Sequence, residues 1–223
     1  MKIRLIEPKA PGLNVFDRAL LPRLGLPLIG RVLADHAHDV RIYVETLAPI
    51  DWDDIAQADL DGFSTTTATT PVAYRMAARV KNLGIPTVIG GPHVTFLPDE
   101  GLEHCDFVVR REGQDTTLEL VEALEAGEDV AAIAGLSYCD DRGQAIHNPD
   151  RPPCPPDEFA HMPAPALDLI VGHGCDLILD VHIVKRLLPV KLLEPVDALL
   201  DLVAVQDGIQ ADAQLLFQIL RFD

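Results

Sequence analysis

Five short β-rich runs alternate with helical patterns over the first 135 residues of the chain. In order, the runs are KIRLIE, VRIYVE, LDGFSTTT, IPTVIGG and DFVVRR. Repeated β-α-β units predict parallel strands, right-handed connections and helices on both faces of the sheet. The sequence therefore predicts an α/β, doubly wound, Rossmann-like domain over residues 1–135, built on a five-stranded parallel sheet.

Three further patterns follow this domain. The runs GLSYC and QAIHN flank a polar turn at residues 140–143, which predicts a β-hairpin. Seven prolines between Pro149 and Pro165 rule out a helix or a central strand there, so residues 136–168 are predicted to form the hairpin and an extended Pro-rich linker. Residues 169–223 are Leu-rich and predict a helical tail of unknown role, interrupted at Pro189 and Pro195.

Charge and composition exclude several classes of partner. The formal net charge of −17 argues against nucleic acid and against anionic membrane surfaces, because both require clustered Lys and Arg. No run approaches ~18 apolar residues, and the N-terminal segment is a strand pattern and not a signal peptide. The four cysteines form no C-x-x-C pair and are expected to be free thiols in a cytoplasmic protein.

Small and hydroxyl-bearing residues follow the third and fourth predicted strands. The segment from Ser64 to Thr70 is Thr-rich, and Gly90-Gly91 is followed by Pro92-His93. Ligands of open parallel sheets bind beyond the carboxyl ends of the strands, so these residues predict the edge of a broad pocket lined by neutral hydrogen-bonding groups. The structural alternative is that the glycines form a turn and the threonines cap a helix.

Other common sites are not indicated. The first strand is not followed by G-x-G-x-x-G, the chain has no G-x-x-x-x-G-K-[ST], and Ser64-Thr65 stands where a phosphoacceptor domain needs Asp. His93 has no acidic partner nearby in sequence, so it is interpreted as a structural or ligand-contacting residue. No nucleophile–base pair is recognisable, and no catalytic or metal-ligating residue is predicted.

Several longer segments together resemble the N-terminal cobalamin-binding domain of cobalamin-dependent radical SAM enzymes. The resemblance covers roughly residues 1–170 and rests on GLPLIGRVLADHAHDV, GFSTTTATTPVAYRMAARVKNLGIPTVIGGPHVTFLPDE, VVRREGQDTTLELVEALEAG and IAGLSYCDDRGQAIHN, followed by Pro165-Ala166-Leu167-Asp168. It implies cobalamin as the cofactor, with its nucleotide tail beside the sheet and the glycines and hydroxyls giving clearance and hydrogen bonds. The contacts it implies are Ser64, Thr65, Thr66, Gly90, Gly91, Pro92, His93, Glu112 and Gly113.

The chain departs from the family pattern at several points. The loop after the first strand, EPKAPGLN, lacks the histidine that many cobalamin domains place on cobalt, so cobalt is expected to be held without a histidine from that loop. Arg111-Glu112-Gly113-Gln114 stands where the family has Gly-Glu-Gly-Glu, and Leu167 stands where it has Arg.

The iron–sulfur motif C-x-x-x-C-x-x-C is not present. Cys175 occupies a plausible first position, but Leu179 and His182 occupy the next two, so neither an iron–sulfur cluster nor SAM is expected on this chain. Three hypotheses stay open: a cobalamin carrier that serves a radical SAM protein in trans, a truncated enzyme, and a repurposed domain that binds another protein without cofactor. The sequence does not decide whether the chain takes part in enzymatic chemistry.

Overall fold

The computed structural model describes residues 1–12, 22–155, 157 and 162–172. From residue 173 onwards, the predicted tail lies outside the described residues. The strands are β1 (Lys2–Glu7), β2 (Asp39–Val44), β3 (Leu60–Ser64), β4 (Thr87–Gly90), β5 (Phe107–Val109), β6 (Leu136–Cys139) and β7 (Ala145–His147). The helices are α1 (Gly25–Asp35), α2 (Trp52–Ile55), α3 (Thr70–Lys81), α4 (Pro92–Phe96), α5 (Pro98–His104) and α6 (Gln114–Ala126), and Leu167–Leu169 forms a 3₁₀ turn.

The strands form one sheet in the order β2-β1-β3-β4-β5-β6-β7. Strands β1 to β5 pair in parallel, which confirms the predicted α/β fold and its parallel core. The predicted hairpin is also present, but it joins the same sheet: β6 pairs antiparallel with β5, and β7 pairs antiparallel with β6. The sheet therefore has seven strands, two more than the parallel set predicted from the β-α-β repeats.

Each face of the sheet packs against its own helices, because alternate residues of a strand point to opposite faces. On the first face, here called face A, Leu5, Val88 and Val109 belong to a buried cluster that includes residues of α1 and α6. On the opposite face, face B, Phe63 and Ile89 belong to a second cluster with residues of α3 and α5. The central strands are thus buried on both sides, as their continuous apolar runs predict.

Two helices occupy the segment after β4, where the sequence TFLPDEGLEH predicts a single short helix. Leu97 separates α4 from α5 with φ −128° and ψ 60°, which is outside the helical region. Pro98 follows it directly, and a proline both lacks an N–H and disfavours the helical conformation of the residue before it. The break therefore has a local cause in the Leu97-Pro98 pair.

The segment after β7 is bound to the domain at several points. Asp150 accepts hydrogen bonds from the guanidinium groups of Arg110 and Arg111, and Arg151 forms an ion pair with Glu119 at 2.6 Å. These contacts hold the beginning of the predicted linker against β5 and α6.

Residues 162–172 make contacts at the other side of the sheet. The amide N–H of Ala166 donates to the carbonyl of Pro27 in α1, and that of Val171 donates to Ile42 in β2. Ile170 forms an isolated parallel bridge with Ile42, so this segment covers the outer edge of β2. No helix within the described residues is both long enough and apolar enough to cross a membrane. The cytoplasmic location stays a prediction.

Candidate functional site

A cavity of about 340 Å³ lies on face A, between α1 and α6 and towards the carboxyl ends of β1, β3, β4 and β5. The strand order reverses between β1 and β3, and open α/β sheets bind ligands beside such a reversal. Most of the lining is apolar or glycine. It consists of Leu5, Arg23, Gly25, Leu26, Ile29, Gly62, Phe63, Ser64, Thr66, Val88, Gly90, Gly91, Pro92, Val109, Arg111, Glu112, Gly113, Gln114 and Thr117.

Two glycines on neighbouring strands line the floor of this cavity, but Gly62 makes room for the side chains of Leu5 and Val88, and only Gly90 leaves free space. A Cβ atom on Gly62 would come within 2.7 Å of Leu5 Cδ2 and 3.3 Å of Val88 Cγ1. A Cβ atom on Gly90 would meet the carbonyl oxygen of Val109 at 3.5 Å, which is ordinary van der Waals contact. Gly90 therefore leaves space that a side chain could occupy, and this space belongs to the cavity.

Gly91 lines the cavity too, but there the packing of the backbone requires a glycine. It faces the backbone of Thr65 at a distance that leaves no room for a Cβ atom. Thr65 is fully buried, and its amide N–H and hydroxyl both donate to the carbonyl of Gly90, at 3.0 and 3.1 Å. The two loops after β3 and β4 are consequently packed backbone to backbone.

The hydroxyls of the Thr-rich loop are divided between structure and cavity. The hydroxyl of Thr69 accepts from the amide N–H of Thr66 at 2.9 Å, and the hydroxyl of Thr70 donates to the carbonyl of Thr66 at 2.8 Å. These bonds brace the turn before α3, but the N-cap residue Thr69 makes no side-chain hydrogen bond to the helix, so the capping alternative is not confirmed. Ser64 and Thr66 line the cavity and are the two residues of this loop available to a ligand there.

An ion pair closes the β1 side of the cavity. Glu7, at the end of β1, is largely buried. Its carboxylate forms an ion pair with the guanidinium of Arg23 at 3.1 Å and accepts a hydrogen bond from the backbone N–H of Arg23 at 3.2 Å. The same guanidinium donates to the carbonyl of Ser64 at 3.0 Å. Arg23 thus joins the ends of β1 and β3, and its charge is compensated by Glu7.

The loop after β5 supplies the opposite wall. Gly113 begins α6 so close to its neighbours that a Cβ atom would meet Val109 Cγ1 at 3.2 Å and Ile29 Cδ1 at 3.3 Å. Glu112 accepts a hydrogen bond from the backbone N–H of Cys154 at 2.7 Å. The carboxylate of Glu112 is therefore attached to the segment after β7, beside the mouth of the cavity.

His93 lies outside the lining of the cavity. Its Nε2 is 3.1 Å from Glu100 Oε1 and its Nδ1 is 3.3 Å from the hydroxyl of Thr67. The hydroxyl of Tyr74 also donates to Glu100, and the hydrogen bond from His93 is the main cause that lowers the pKa of that carboxyl. Burial raises the pKa of Tyr74, which therefore remains a hydrogen-bond donor at neutral pH.

The structure brings seven of the nine predicted contact residues to one cavity: Ser64, Thr66, Gly90, Gly91, Pro92, Glu112 and Gly113. Thr65 is buried beneath the loops, and His93 lies outside the lining, in contact with Thr67 and Glu100. The floor residues Leu5, Gly62 and Val109, and the contribution of α1, are not predicted by the sequence patterns. Alternation along β3 places Gly62 on the same face as Ser64 and could have indicated it. Within the described ranges, no group of His, Cys, Asp and Glu could hold a metal ion.

Residues 18–121 match the family of B12 binding domains. The chain carries a B12 binding domain. The resemblance drawn from the sequence is confirmed, and the cavity of this B12 binding domain lies at its switch in strand order.

Two relatives of this B12 binding domain extend well beyond it. An uncharacterized methyltransferase of Pyrococcus horikoshii is 35% identical over 184 residues, which are 76% of this chain and 39% of that protein. An anaerobic magnesium-protoporphyrin IX monomethyl ester cyclase of Synechocystis sp. is 31% identical over 154 residues, covering 62% of this chain and 30% of the cyclase. The chain thus spans well under half the length of either relative.

Solved structures share the fold. The radical S-adenosylmethionine methyltransferase TsrM from Kitasatospora setae, solved with cobalamin and a [4Fe-4S] cluster bound, superposes with a TM-score of 0.54 at 20% identity, over 70% of this chain and 30% of TsrM. The cobalamin-dependent S-adenosylmethionine radical enzyme OxsB, solved with aqua-cobalamin and S-adenosylmethionine, gives a TM-score of 0.59 at 18% identity, over 75% of this chain and 24% of OxsB.

Proposed function

We propose that this chain binds cobalamin and serves as the cobalamin-carrying module of a radical SAM methyltransferase-type system. The observation that supports the proposal most directly is the cavity on face A, where Gly90 leaves space for a ligand, in a domain of the B12 binding family. When bound, the cofactor supplies a cobalt ion that can carry a methyl group. The residues of this chain bind and orient the cofactor.

The size of the cavity suggests which part of cobalamin enters it. A volume of about 340 Å³ is at the small end of ligand pockets and suits a flat heterocycle with its sugar, but not a corrin ring. We therefore propose that the nucleotide tail enters between α1 and α6, over Gly62 and Gly90. The ring then lies outside, over the ends of the strands, where Ser64 and Thr66 offer hydroxyls to its amide groups.

The way cobalt is held is part of the proposal. The described residues of the loop after β1, Pro8 to Gly12, include no histidine, and His93 is engaged by Glu100 and Thr67. We propose that this chain gives cobalt no histidine ligand from the loop after β1. If the base of the cofactor occupied the cavity, the lining residues would hold the cofactor by that base, and no histidine from this loop would be needed to hold it.

The proposed partner is a radical SAM protein that uses the bound cofactor. TsrM and OxsB are radical SAM enzymes, and the fold that they share with this chain covers 30% of the TsrM chain and 24% of the OxsB chain. We propose that such a protein approaches the exposed face of the corrin and works in trans to these 223 residues. A cofactor-free interaction module is the competing hypothesis, and the binding experiment separates the two.

The test is an absorbance titration of the purified protein with hydroxocobalamin and methylcobalamin. We expect saturable micromolar binding or tighter, with a spectrum typical of cobalamin whose base has left the metal. Gly90→Val should abolish binding, because a side chain at this position enters the cavity and its Cβ atom meets only Val109 within 4 Å. Ala126→Val, at an exposed position at the end of α6, places a valine side chain elsewhere on the surface and should bind normally. No binding well above micromolar concentrations would leave the cofactor-free module as the better hypothesis.

A further inference from the structure

Arg111 adopts a backbone conformation that is unusual for a residue with a long side chain. Its φ is 63°, in the left-handed region, where residues other than Gly, Asn and Asp are disfavoured. A hydrogen bond from its backbone N–H to the hydroxyl of Thr95, 2.9 Å long, helps to hold this conformation. Strained residues of this kind persist where the surrounding structure enforces them, and they cluster at ligand sites.

Arg111 is one of the residues that line the cavity, and its guanidinium group is held by Asp150. Arg111 lines the cavity while its side chain is 58% exposed, so the group is accessible from outside. Its Nε lies 2.9 Å from Asp150 Oδ2, and the other oxygen of Asp150 receives Arg110 at 2.8 Å. Asp150 therefore orients Arg111 but shares its charge between two arginines.

Of the two arginines that line the cavity, Arg111 is the one with donors to spare. Arg23 gives its guanidinium to Glu7 and to the carbonyl of Ser64. For Arg111, the hydrogen bonds seen among the described residues involve the backbone N–H and Nε, which leaves its two terminal nitrogens for a ligand. A guanidinium with two such donors in one plane matches the oxygens of a phosphate.

We infer that Arg111 binds the phosphodiester of the cofactor's nucleotide tail and thereby selects a cobalamin with a complete tail. The inference rests on the proposed function. In cobalamin the phosphodiester connects the ribose of the tail to the side chain of the ring, and it is the anionic group of that tail. If the base lies in the cavity and the ring outside it, the connecting phosphate must pass the opening, and Arg111 is a lining residue with an exposed side chain.

The test compares hydroxocobalamin with diaquacobinamide, a corrinoid that lacks the phosphate, ribose and base. Dissociation constants are measured for the full chain, for Arg111→Asn and for Arg111→Lys. Asn removes the charge and tolerates the left-handed conformation, whereas Lys retains the charge without the fork of donors. Thermal unfolding of each variant checks that the fold is retained.

We expect Arg111→Asn to weaken hydroxocobalamin binding about tenfold or more, with cobinamide binding unchanged. The affinity of Arg111→Lys for hydroxocobalamin should lie between those of the unsubstituted chain and Arg111→Asn. Added salt should weaken hydroxocobalamin binding more in the unsubstituted chain than in Arg111→Asn, because an exposed ion pair is screened.

The other outcomes overturn the inference in distinguishable ways. Equal weakening of both corrinoids would mean that Arg111 shapes the loop and does not recognise the phosphate. Unchanged affinity for both would mean that it makes no contact with the tail. If the unsubstituted chain bound neither corrinoid, the proposed function itself would fail, and this inference with it.

Discussion

The carbonyl oxygen of Thr65 lies 2.2 Å from the position that a Cβ atom on Gly91 would occupy. Gly91 also has φ 108°, a conformation that other residues rarely adopt. The adjacent Gly90 has neither constraint, since its nearest neighbour to a Cβ is the Val109 carbonyl at 3.5 Å. One glycine of the pair is therefore required by the packing of the loops, and the other leaves space in the cavity.

Gly91→Ala should destabilise the protein strongly. Overpacking against the Thr65 backbone and the positive φ together predict a loss of about 3 kcal/mol in the free energy of unfolding, measured by urea denaturation. Gly90→Ala is the matched control and should change the free energy of unfolding by less than about 1 kcal/mol. Equal losses at the two positions would contradict the distinction drawn between them.

Asp61 should make stability depend on pH. It is fully buried on β3, neither of its carboxylate oxygens has a hydrogen-bond partner among the described residues, and burial raises its pKa to about 8. The unfolded chain loses this proton near the ordinary value of 3.8, while the folded chain keeps it. Stability should therefore fall as pH rises between about 4 and 8, by up to about 1.4 kcal/mol per pH unit from this group.

Asp61→Asn should remove that contribution. Between pH 5 and pH 8, the free energy of unfolding should fall less in the variant than in the unsubstituted protein, as measured by urea unfolding at the two pH values. Asp141→Asn, at an exposed position in the hairpin turn, is the control and should leave the pH dependence unaltered. A pH dependence identical in all three proteins would show that Asp61 is not buried as a neutral acid.

Cys105 and Cys139 should differ in reactivity. Cys105 is buried, and the burial raises its pKa to about 12, whereas Cys139 is exposed at the end of β6. Because the thiolate is the reactive form, iodoacetamide at pH 8 should alkylate Cys139 and spare Cys105 until urea unfolds the domain. Peptide mass spectrometry measures both sites in one sample, and rapid labelling of Cys105 in the folded protein would refute the prediction.

His93 should act mainly on the carboxyl group of Glu100. In His93→Gln, loss of the main hydrogen bond to Glu100 should raise the pKa of that carboxyl towards its ordinary value, as followed by NMR titration. Cobalamin affinity should change far less than in Gly90→Val, because neither His93 nor Thr67 lines the cavity. Tyr74→Phe, which removes the other side-chain donor to Glu100, is the control for the pKa and should also raise it.

The parallel core of the fold was predictable from local patterns. Alternating β-rich runs and helical periodicity identified β1 to β5, and Gly127, with φ 67°, ends α6 as the sequence predicts. These features depend on residues close to one another in the chain. The pairing of the hairpin with β5 was not predictable in this way, because it joins segments separated by α6 and its following loop.

The candidate site was predictable in part for the same reason. Strand ends are local features, so Ser64, Gly90 and Glu112 could be identified as neighbours at the carboxyl edge of the sheet. The sequence by itself determined the order of the elements and the small residues at that edge. Only the tertiary structure decided that Gly90 opens the cavity while Gly91 packs against Thr65, and that Asp150 holds Arg111 in the lining of that cavity. Such roles depend on distances between residues far apart in the chain, which exist only once the sheet has assembled.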